Sequence, residues 1–373
     1  MTPSTRTLAA LFASAVAACP LAALPVQAQD SAAGPKLEEV ASFDHQVTGV
    51  TVSPDGRVFV NFPRWTEDAP ISVGEVKDGV VTAYPDEAWN SWRNARKNEI
   101  SAEDHFVSVQ SVVADGKGSL WVLDPAAPAS AFVVPKGPKL MKIDLATNKV
   151  AETYPVDTSV APQGSYLNDV RFSPDGGHAY ITDSGPIGAL IVIDLKTKQA
   201  RRLLSGHPTV QAEKDVVVKH RGAEIRRPDG RGVEFAADGI ALSKDGETLF
   251  WQALTGKTLY AISTSLLEDP ATSDEALAAA IKTRGENGVS DGLWLDGRDR
   301  MYISALEEDA IKRREGETVS TVLSDERLRW PDTFAEGPDG SIYVTASRIM
   351  DMNWYRPESP AALPTKLFKF KPE

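Results

Sequence analysis

The stretch GVTVSPDGRVFV, residues 49–60, carries the pattern that organises the whole chain. An apolar strand leads into the tight turn Pro54-Asp55-Gly56, and a second apolar strand carrying Phe59 follows. Apolar strands on both sides of a Gly/Asp turn are typical of a β-hairpin. Similar hairpin patterns return at residues 111–122, 169–181, 239–251, 292–303 and 333–344.

The six hairpins align on one residue of each turn. These residues are Gly56, Gly118, Gly176, Gly246, Asp299 and Gly340. Six positions earlier each copy has an apolar residue: Val50, Val112, Val170, Ile240, Leu293 or Phe334. Further strand pairs lie between the hairpins, at residues 71–84, 140–154 and 190–204. Two hairpins per repeat make a four-stranded sheet, so the chain is predicted to be all-β, a six-bladed β-propeller.

The ends of the chain and two insertions complete this prediction. The last repeat has only one strand after its hairpin, at residues 366–370, and residues 36–43 are expected to supply the missing strand and close the ring. Residues 273–285 predict a short helix, with Ser273 as its N-cap and Gly285 as its C-cap. The arginine-rich insertion 219–232 is interpreted either as a solvated hairpin loop or as an anion-binding loop.

The N-terminus has the composition of an export signal. Residues 1–28 hold one charge, Arg6, an apolar run and the small-residue site Val26-Gln27-Ala28. We therefore assign residues 1–28 as a signal peptide, 29–35 as a linker and 36–373 as one propeller domain. The protein is predicted to be exported, periplasmic or secreted. Because Cys19 lies in a lipobox-like context, a lipoprotein anchored at Cys19 is the alternative.

Composition excludes several classes of partner. The 373 residues are 42% hydrophobic, which suffices for a large core, and carry 40 Lys+Arg against 52 Asp+Glu, a net charge of −12. This acidic balance provides no footprint for a phosphate backbone, so no nucleic-acid binding is expected. Beyond the N-terminal segment there is no apolar run of about 18 residues, so no membrane span is expected.

A polar residue occupies the same position in all six repeats, eight positions before the turn residue. These six residues are Thr48, Gln110, Asn168, Asp238, Asp291 and Asp332. Because the first strand of each propeller blade lines the central channel, we expect their side chains to converge at one mouth and bind a ligand. The alternative is that they only bond to neighbouring backbone and join loops to blades.

The three aspartates of this set imply a positive occupant. Closely packed carboxylates do not all ionise unless a proton, a metal cation or a cationic ligand neutralises them. Oxygen donors favour calcium over zinc, so Asn168, Asp238 and Asp291 are the candidate metal ligands. If aromatic residues near the ring, such as Trp330, reach the mouth, an aromatic amine would meet both a carboxylate and a ring face.

Several strings along the chain resemble the yellow/major royal jelly protein family. They are Tyr84-Pro85 followed by Trp89-Asn90, LWVLD at 120–124, PKL at 138–140 with IDL at 143–145, YLNDV at 166–170, YITDSG at 180–185 and DGIALS at 238–243. Their order and spacing match along nearly the whole mature chain, which, given its export signal and lipobox-like alternative, looks like a bacterial member of this family. Beyond Cys19 in the predicted signal peptide the sequence has no cysteine, which departs from the disulfide-stapled loops of the insect proteins.

The resemblance implies a six-bladed, TolB-like propeller with a central ligand pocket. Relatives bind biogenic amines or other small molecules, and some are associated with converting dopachrome. The related senescence marker protein/gluconolactonase group holds a divalent metal in the channel, and Asn168 and Asp238 stand where a similar pair would be expected. In the first blade, Thr48 occupies the position at which such a metal site would require a glutamate ligand.

Three functions follow as hypotheses. The first is an exported binding protein for a cationic or aromatic amine, with dopachrome-tautomerase-like proton transfer by a carboxylate. The second is a calcium-dependent lactone hydrolase, in which the metal polarises the carbonyl and activates water. The third is a structural or partner-binding propeller with a plugged channel.

Overall fold

The strands of the protein follow the hairpin pattern of the sequence. The computed structural model describes residues 1–2, 34–67, 69–130, 132–358 and 363–372. The predicted signal peptide and its alternative, a lipid attachment at Cys19, fall outside the described residues. In chain order the strands of the first three repeats, preceded by the N-terminal strand, are β1 (Glu38–Phe43), β2 (Val50–Val52), β3 (Val58–Asn61), β4 (Val73–Lys77), β5 (Val80–Ala83), β6 (Ser111–Ala114), β7 (Ser119–Asp124), β8 (Lys139–Asp144), β9 (Lys149–Pro155), β10 (Leu167–Phe172), β11 (His178–Asp183), β12 (Ala189–Asp194) and β13 (Ala200–Leu203).

The second half of the chain also consists mainly of β-strands, with one inserted hairpin and two short helices. The strands are β14 (Lys219–His220), β15 (Ala223–Glu224), β16 (Ala237–Leu242), β17 (Thr248–Ala253), β18 (Thr258–Ser263), β19 (Lys282–Glu286), β20 (Leu293–Leu295), β21 (Met301–Ala305), β22 (Ala310–Glu315), β23 (Thr318–Ser324), β24 (Pro331–Glu336), β25 (Ile342–Ala346) and β26 (Thr365–Phe370). The helices are α1 (Thr264–Glu268) and α2 (Asp274–Ala280).

These strands form the six antiparallel, four-stranded blades that the sequence predicts. The blades are β2-β3-β4-β5, β6-β7-β8-β9, β10-β11-β12-β13, β16-β17-β18-β19, β20-β21-β22-β23 and β1-β26-β25-β24. The innermost strand of each blade packs beside that of the next, and β24 of blade six packs beside β2 of blade one. The prediction of an all-β six-bladed propeller is confirmed.

The ring closes through the N-terminal strand, as expected. β1 pairs antiparallel with β26, placing Glu38 opposite Lys369 and Phe43 opposite Thr365. Phe43 and Ala41 of β1 are buried with Val50, Val60 and Leu367, so the closure buries apolar surface as well as forming hydrogen bonds. The N-terminal strand thereby covers the edge of β26 and ties both ends of the propeller domain into blade six.

The helix of the fourth repeat begins as predicted and ends earlier. The Ser273 side chain accepts a hydrogen bond from the Ala276 amide, which makes Ser273 the N-cap of α2. The helix ends at Ala280, and Lys282–Glu286 form the outer strand β19, paired with β18. The prediction that the helix extends to Gly285 was therefore wrong, because cross-strand pairing takes precedence over the charge pattern of those residues.

The core consists of apolar layers between neighbouring blades and one further cluster above the ring. The layer between blades two and three, for example, joins Trp121 and Leu123 to Val170 and Ile181. The further cluster, which we call the covering cluster, contains Trp65, Val218, Ile225, Val233, Leu254, Val289, Leu306, Trp330, Ile349, Met350, Met352 and Tyr355. In the described residues no helix is long and apolar enough to cross a membrane.

The basic insertion contributes to this covering cluster. It forms the short hairpin β14-β15, and Ile225 on its far side is only 7% exposed. Arg226 and Arg231 remain exposed and pair with Glu224 and Asp229, both at 2.7 Å. The insertion is thus a hairpin, as one interpretation of the sequence had it, but one that packs partly over the ring.

Candidate functional site

Five of the six predicted ring residues line one cavity on the propeller axis. Gln110, Asn168, Asp238, Asp291 and Asp332 come from five different blades and face this cavity. Their positions just before or at the start of the innermost strands bring them together, as the repeat alignment predicted.

Thr48 does not line the cavity. Its side chain is 1% exposed, accepts a hydrogen bond from Asn61 Nδ2 at 2.8 Å and donates to the Gln110 carbonyl oxygen at 3.4 Å. In blade one the ring position therefore joins two blades, which is the structural role that the sequence analysis gave as the alternative.

Two glycines bring the acidic blades close together. Gly239 and Gly292 directly follow Asp238 and Asp291. A Cβ atom at Gly239 would lie 2.5 Å from the Asp291 carbonyl oxygen, and one at Gly292 would lie 2.0 Å from the Asp332 carbonyl oxygen. Only a residue without a side chain permits this approach, so the Asp-Gly sequence in blades four and five has a direct geometric consequence.

The three aspartates form a buried carboxyl cluster. Asp238, Asp291 and Asp332 are 5%, 6% and 5% exposed. Trp330 Nε1 donates to Asp291 Oδ2 at 2.6 Å, whereas Ser347 and Thr333 donate to the two oxygens of Asp332 at 2.9 and 3.1 Å. The interaction between the Asp238 and Asp291 carboxyl groups raises the pKa of Asp238 and lowers that of Asp291.

Burial is the main cause that raises the pKa of all three groups. Burial raises the pKa of Asp291 to about 6, although the hydrogen bonds from Trp330 and Asp238 act in the opposite direction. Burial, and then the charge of Asp291, hold the pKa values of Asp238 and Asp332 well above the usual range. Near neutral pH the cluster therefore retains protons, with Asp291 as the most acidic member.

The opposite wall of the cavity is polar and uncharged. Trp65 Nε1 donates to the Tyr166 hydroxyl oxygen at 2.9 Å, and that hydroxyl donates to Gln110 Oε1 at 2.7 Å. The side-chain oxygen of Gln110 is thereby bonded, so its side-chain nitrogen Nε2 is the group that can bind a ligand. Asn168, 7% exposed, lies between this wall and the carboxyl cluster.

Aromatic and apolar side chains cover the cavity. Trp65, Phe235, Trp330, Ile349 and Trp354 line it, and the rings of Trp65 and Trp354 are 5.1 Å apart. The enclosed volume is only about 30 Å³, which is room for one or two water molecules. A larger ligand can enter only if the covering side chains move.

Of the tryptophans near the ring in sequence, only Trp330 reaches the cavity. Trp294 packs against Tyr302 and Trp89 against Phe106, with ring centroids 5.5 and 5.3 Å apart. Trp65 and Trp354 could not be predicted as cavity residues, because both lie outside the repeated hairpins and no local pattern places them near the axis.

An ion pair lies beside the carboxyl cluster in the channel. Arg171 of blade three is 2.9 Å from Asp169 and donates through Nη2 to the Leu293 carbonyl oxygen of blade five, also at 2.9 Å. The guanidinium therefore reaches across the channel between two non-adjacent blades. The charge of Asp169 further raises the pKa values of Asp238, Asp291 and Asp332.

The protein side chains at the cavity do not provide enough oxygen ligands for a calcium ion. Among the described residues, no group of three or more His, Cys, Asp or Glu side chains has the arrangement of a metal site. Asp291 Oδ2 already accepts a hydrogen bond from Trp330 Nε1. Asn168, Asp238 and Asp291 would supply fewer than the six to eight oxygens that calcium takes, so a bound ion would depend on added water.

Comparison with known proteins identifies relatives in sequence and in fold. The family model described as "Major royal jelly protein" matches residues 107–351, more than half of the chain. The Yellow-related salivary protein LJM17 of Lutzomyia longipalpis is 27% identical over 198 residues, covering 48% of this chain. The match spans 46% of that relative's own length.

Solved propellers share the fold at low sequence identity. A gluconolactonase from Xanthomonas campestris is 11% identical with a TM-score of 0.53, covering 91% of this chain and 90% of that protein. The calcium-binding protein regucalcin from Agrobacterium tumefaciens is 14% identical with a TM-score of 0.52, covering 91% of this chain and 95% of that protein. At this level of identity the similarity establishes the architecture alone.

Proposed function

Because the chain belongs to the major royal jelly protein family, we propose that it is an exported propeller whose central cavity binds a small ligand carrying a protonated amine beside an aromatic ring. One observation carries the proposal: three buried carboxyl groups and three tryptophans line a single axial cavity, with no lysine or arginine among the described lining residues. The carboxyl cluster would neutralise an ammonium group, and the indole faces would contact the ring.

The same carboxyl groups support a proton-transfer activity of the dopachrome-tautomerase type. Asp291, with its pKa raised to about 6, can accept a proton near neutral pH, and Asp238 holds one beside it. A neighbouring acid and base of this kind can remove a proton from one ring position and return it at another. The overall reaction is an isomerisation, so it requires no oxidant.

Entry of such a ligand requires movement of the covering side chains. The cavity of about 30 Å³ is far smaller than an aromatic amine. Trp354, like Phe235, is a half-buried member of the cavity wall, and its displacement together with Ile349 would enlarge the site from outside. Substrate-induced opening and closing of loops is common at enclosed sites.

Calcium is the competing occupant of the cavity. The observation in its favour is the clustering of carboxyl oxygens with the Asn168 amide, since a divalent cation relieves the same repulsion as an ammonium group. With calcium bound, the site would support the hydrolysis of a lactone, the metal supplying carbonyl polarisation and an activated water.

Calorimetry separates these functions. We propose titrating the protein with dopamine and with Ca²⁺, and comparing Asp238→Asn with Asp229→Asn, a substitution on the exposed insertion. Dopamine binding that is lost in Asp238→Asn and kept in Asp229→Asn supports the amine site. Binding of Ca²⁺ with lactone turnover, and no dopamine binding, would replace it with the hydrolase. Elemental analysis of the purified protein gives an independent test for a resident metal.

A further inference from the structure

Three arginines surround one carboxylate near the central cavity. Asp351 is 3% exposed and accepts two hydrogen bonds from Arg329, the one between Nη2 and Oδ1 measuring 2.7 Å. Arg348 Nη2 lies 3.3 Å from Asp351 Oδ2, and Arg356 Nη1 lies 3.4 Å from Oδ1. One negative charge thus faces three positive charges.

The next carboxylate does not balance this excess. Asp309 also acts on Arg329 electrostatically, but it is bonded to His220 Nε2 at 2.8 Å and to Arg221 Nη2 at 2.9 Å. The group therefore remains positive on a protein whose overall charge is −12.

The backbone places these arginines at the outer rim of the cavity. Along blade six the chain runs outward from Asp332 through Trp330 to Arg329, while Ser347 and Arg348 run antiparallel to it. Ser347 N donates to the Trp330 carbonyl oxygen at 2.9 Å, and Arg348 N donates to that of Arg329 at 3.1 Å. Arg329 and Arg348 directly adjoin Trp330 and Ile349, two of the side chains that line the cavity.

Arg348 and Arg356, the two outer arginines, hold Asp351 only through long contacts. Charge-assisted hydrogen bonds to carboxylates normally measure about 2.7–2.9 Å, so the contacts of Arg348 and Arg356 with Asp351 are long. Their side chains are 27% and 55% exposed. Arg348 donates to Asp351 Oδ2 through Nε and Nη2, both at 3.3 Å, and through Nη1 to the Pro364 carbonyl oxygen at 3.4 Å. Arg329, in contrast, makes a short bond of 2.7 Å from Nη2 to Asp351 Oδ1. Guanidinium groups with free N–H donors are well suited to binding carboxylate or phosphate oxygens.

We propose that Arg348 and Arg356 form an oxyanion-binding subsite at the rim of the cavity. The oxyanion that occupies it is an anionic group on the cavity ligand itself. This inference rests on the proposed function, because it takes the ammonium end of the ligand to lie at the carboxyl cluster. The ligand class is then an aromatic amine with a phosphate, sulfate or carboxylate group at the end opposite its nitrogen.

A pair of ligands that differ only in this group tests the proposal. Calorimetry would compare dopamine with its 4-O-phosphate ester on the wild-type protein, on the double variant Arg348→Gln/Arg356→Gln and on the control Arg226→Gln. Arg226 is an exposed arginine paired with Glu224 on the insertion. The double variant keeps Arg329, so Asp351 retains its principal partner, and thermal unfolding would verify that each variant folds.

We expect the wild-type protein to bind the ester at least about tenfold more tightly than dopamine, as two charged hydrogen-bonding groups would allow. The double variant should lose this preference and bind dopamine as before, while Arg226→Gln keeps the preference. Equal affinity for the two ligands in the wild-type protein, or an unchanged preference in the double variant, would overturn the proposal.

A second measurement separates this proposal from the proposed function. If neither amine binds, the amine site has failed, and inorganic phosphate alone then tests the rim by its effect on the thermal unfolding temperature. A phosphate-dependent increase that is present in the wild type and in Arg226→Gln, and absent in the double variant, supports an oxyanion site filled by a free anion. An equal increase in all three proteins, or none in the wild type, excludes the subsite.

Discussion

The two halves of the polar ring use the same blade position in different ways. In blades one to three it is occupied by Thr48, Gln110 and Asn168, and the first two are held by hydrogen bonds to neighbouring blades or side chains. In blades four to six it is occupied by aspartates whose carboxyl groups are buried next to one another. Assembling the neutral half therefore costs little free energy of folding. Burying the three carboxyl groups of the acidic half lowers the free energy of unfolding, and clusters of groups with shifted pKa values of this kind are common at functional sites.

The largest expected difference between the halves is in ligand affinity. Asp291→Asn should weaken dopamine binding by about a hundredfold or more, because it removes the group most able to carry the negative charge. Gln110→Ala, in the neutral half, should weaken it by less than about tenfold, the value of one neutral hydrogen bond. Calorimetry near pH 7.5 measures both, and similar losses in the two variants would show that charge does not distinguish the halves.

A second comparison concerns the glycines that follow the ring position. In Gly292→Ala the new methyl group would meet the Asp332 backbone oxygen at 2.0 Å, so blades five and six must separate, and we expect a loss of about 3 kcal/mol. In Gly49→Ala the methyl group would meet the Asn61 side-chain oxygen, also at 2.0 Å, and a side chain can turn away. Urea unfolding of the two variants should show the larger loss for Gly292→Ala; the reverse order would contradict this account of the acidic half.

The acidic half should also give stability an unusual dependence on pH. The pKa of Asp291 is raised to about 6, so between about pH 4 and 6 the folded protein holds a proton that the unfolded chain releases. Stability therefore falls as the pH rises through this window, and Asp291→Asn should remove about 2 kcal/mol of that decrease.

The measurement is urea unfolding of the wild type and of Asp291→Asn at pH 4.5 and pH 7.5. Other carboxyl groups, such as Asp175, have lowered pKa values and act in the opposite direction, so the quantity to compare is the difference between the two proteins. We expect the variant to gain stability relative to the wild type as the pH rises. A constant difference at both pH values would mean that Asp291 titrates normally.

The smallest effect is expected in blade one. Thr48→Val removes the hydrogen bond from Asn61 and the long bond to Gln110, which should cost about 1 kcal/mol of unfolding free energy. Ligand affinity should stay unchanged because Thr48 does not line the cavity. A reduced affinity in the calorimeter would place Thr48 in the binding site after all.

Much of this molecule could be predicted locally. Strand alternation and Gly/Asp turns are short-range properties, so the six hairpins, the closing strand at residues 36–43 and the convergence of Gln110, Asn168 and the aspartates followed from the sequence. The N-cap at Ser273 was also local, since one side chain bonds to an amide three residues on.

Other features depend on contacts between distant parts of the chain. Lys282–Glu286 form a strand because β18 is available to pair with them, and Thr48 lies outside the cavity because Asn61 and Gln110 hold it. Trp65 and Trp354 reach the axis on loops whose paths are decided by packing in the covering cluster. Amino-acid order alone determined the blades and the ring of oxygen-bearing side chains, because those arise from period-two alternation repeated six times. The cover of the cavity, its size and the sharing of protons were decided only by the tertiary structure, because each requires groups far apart in the chain to meet in a water-poor interior.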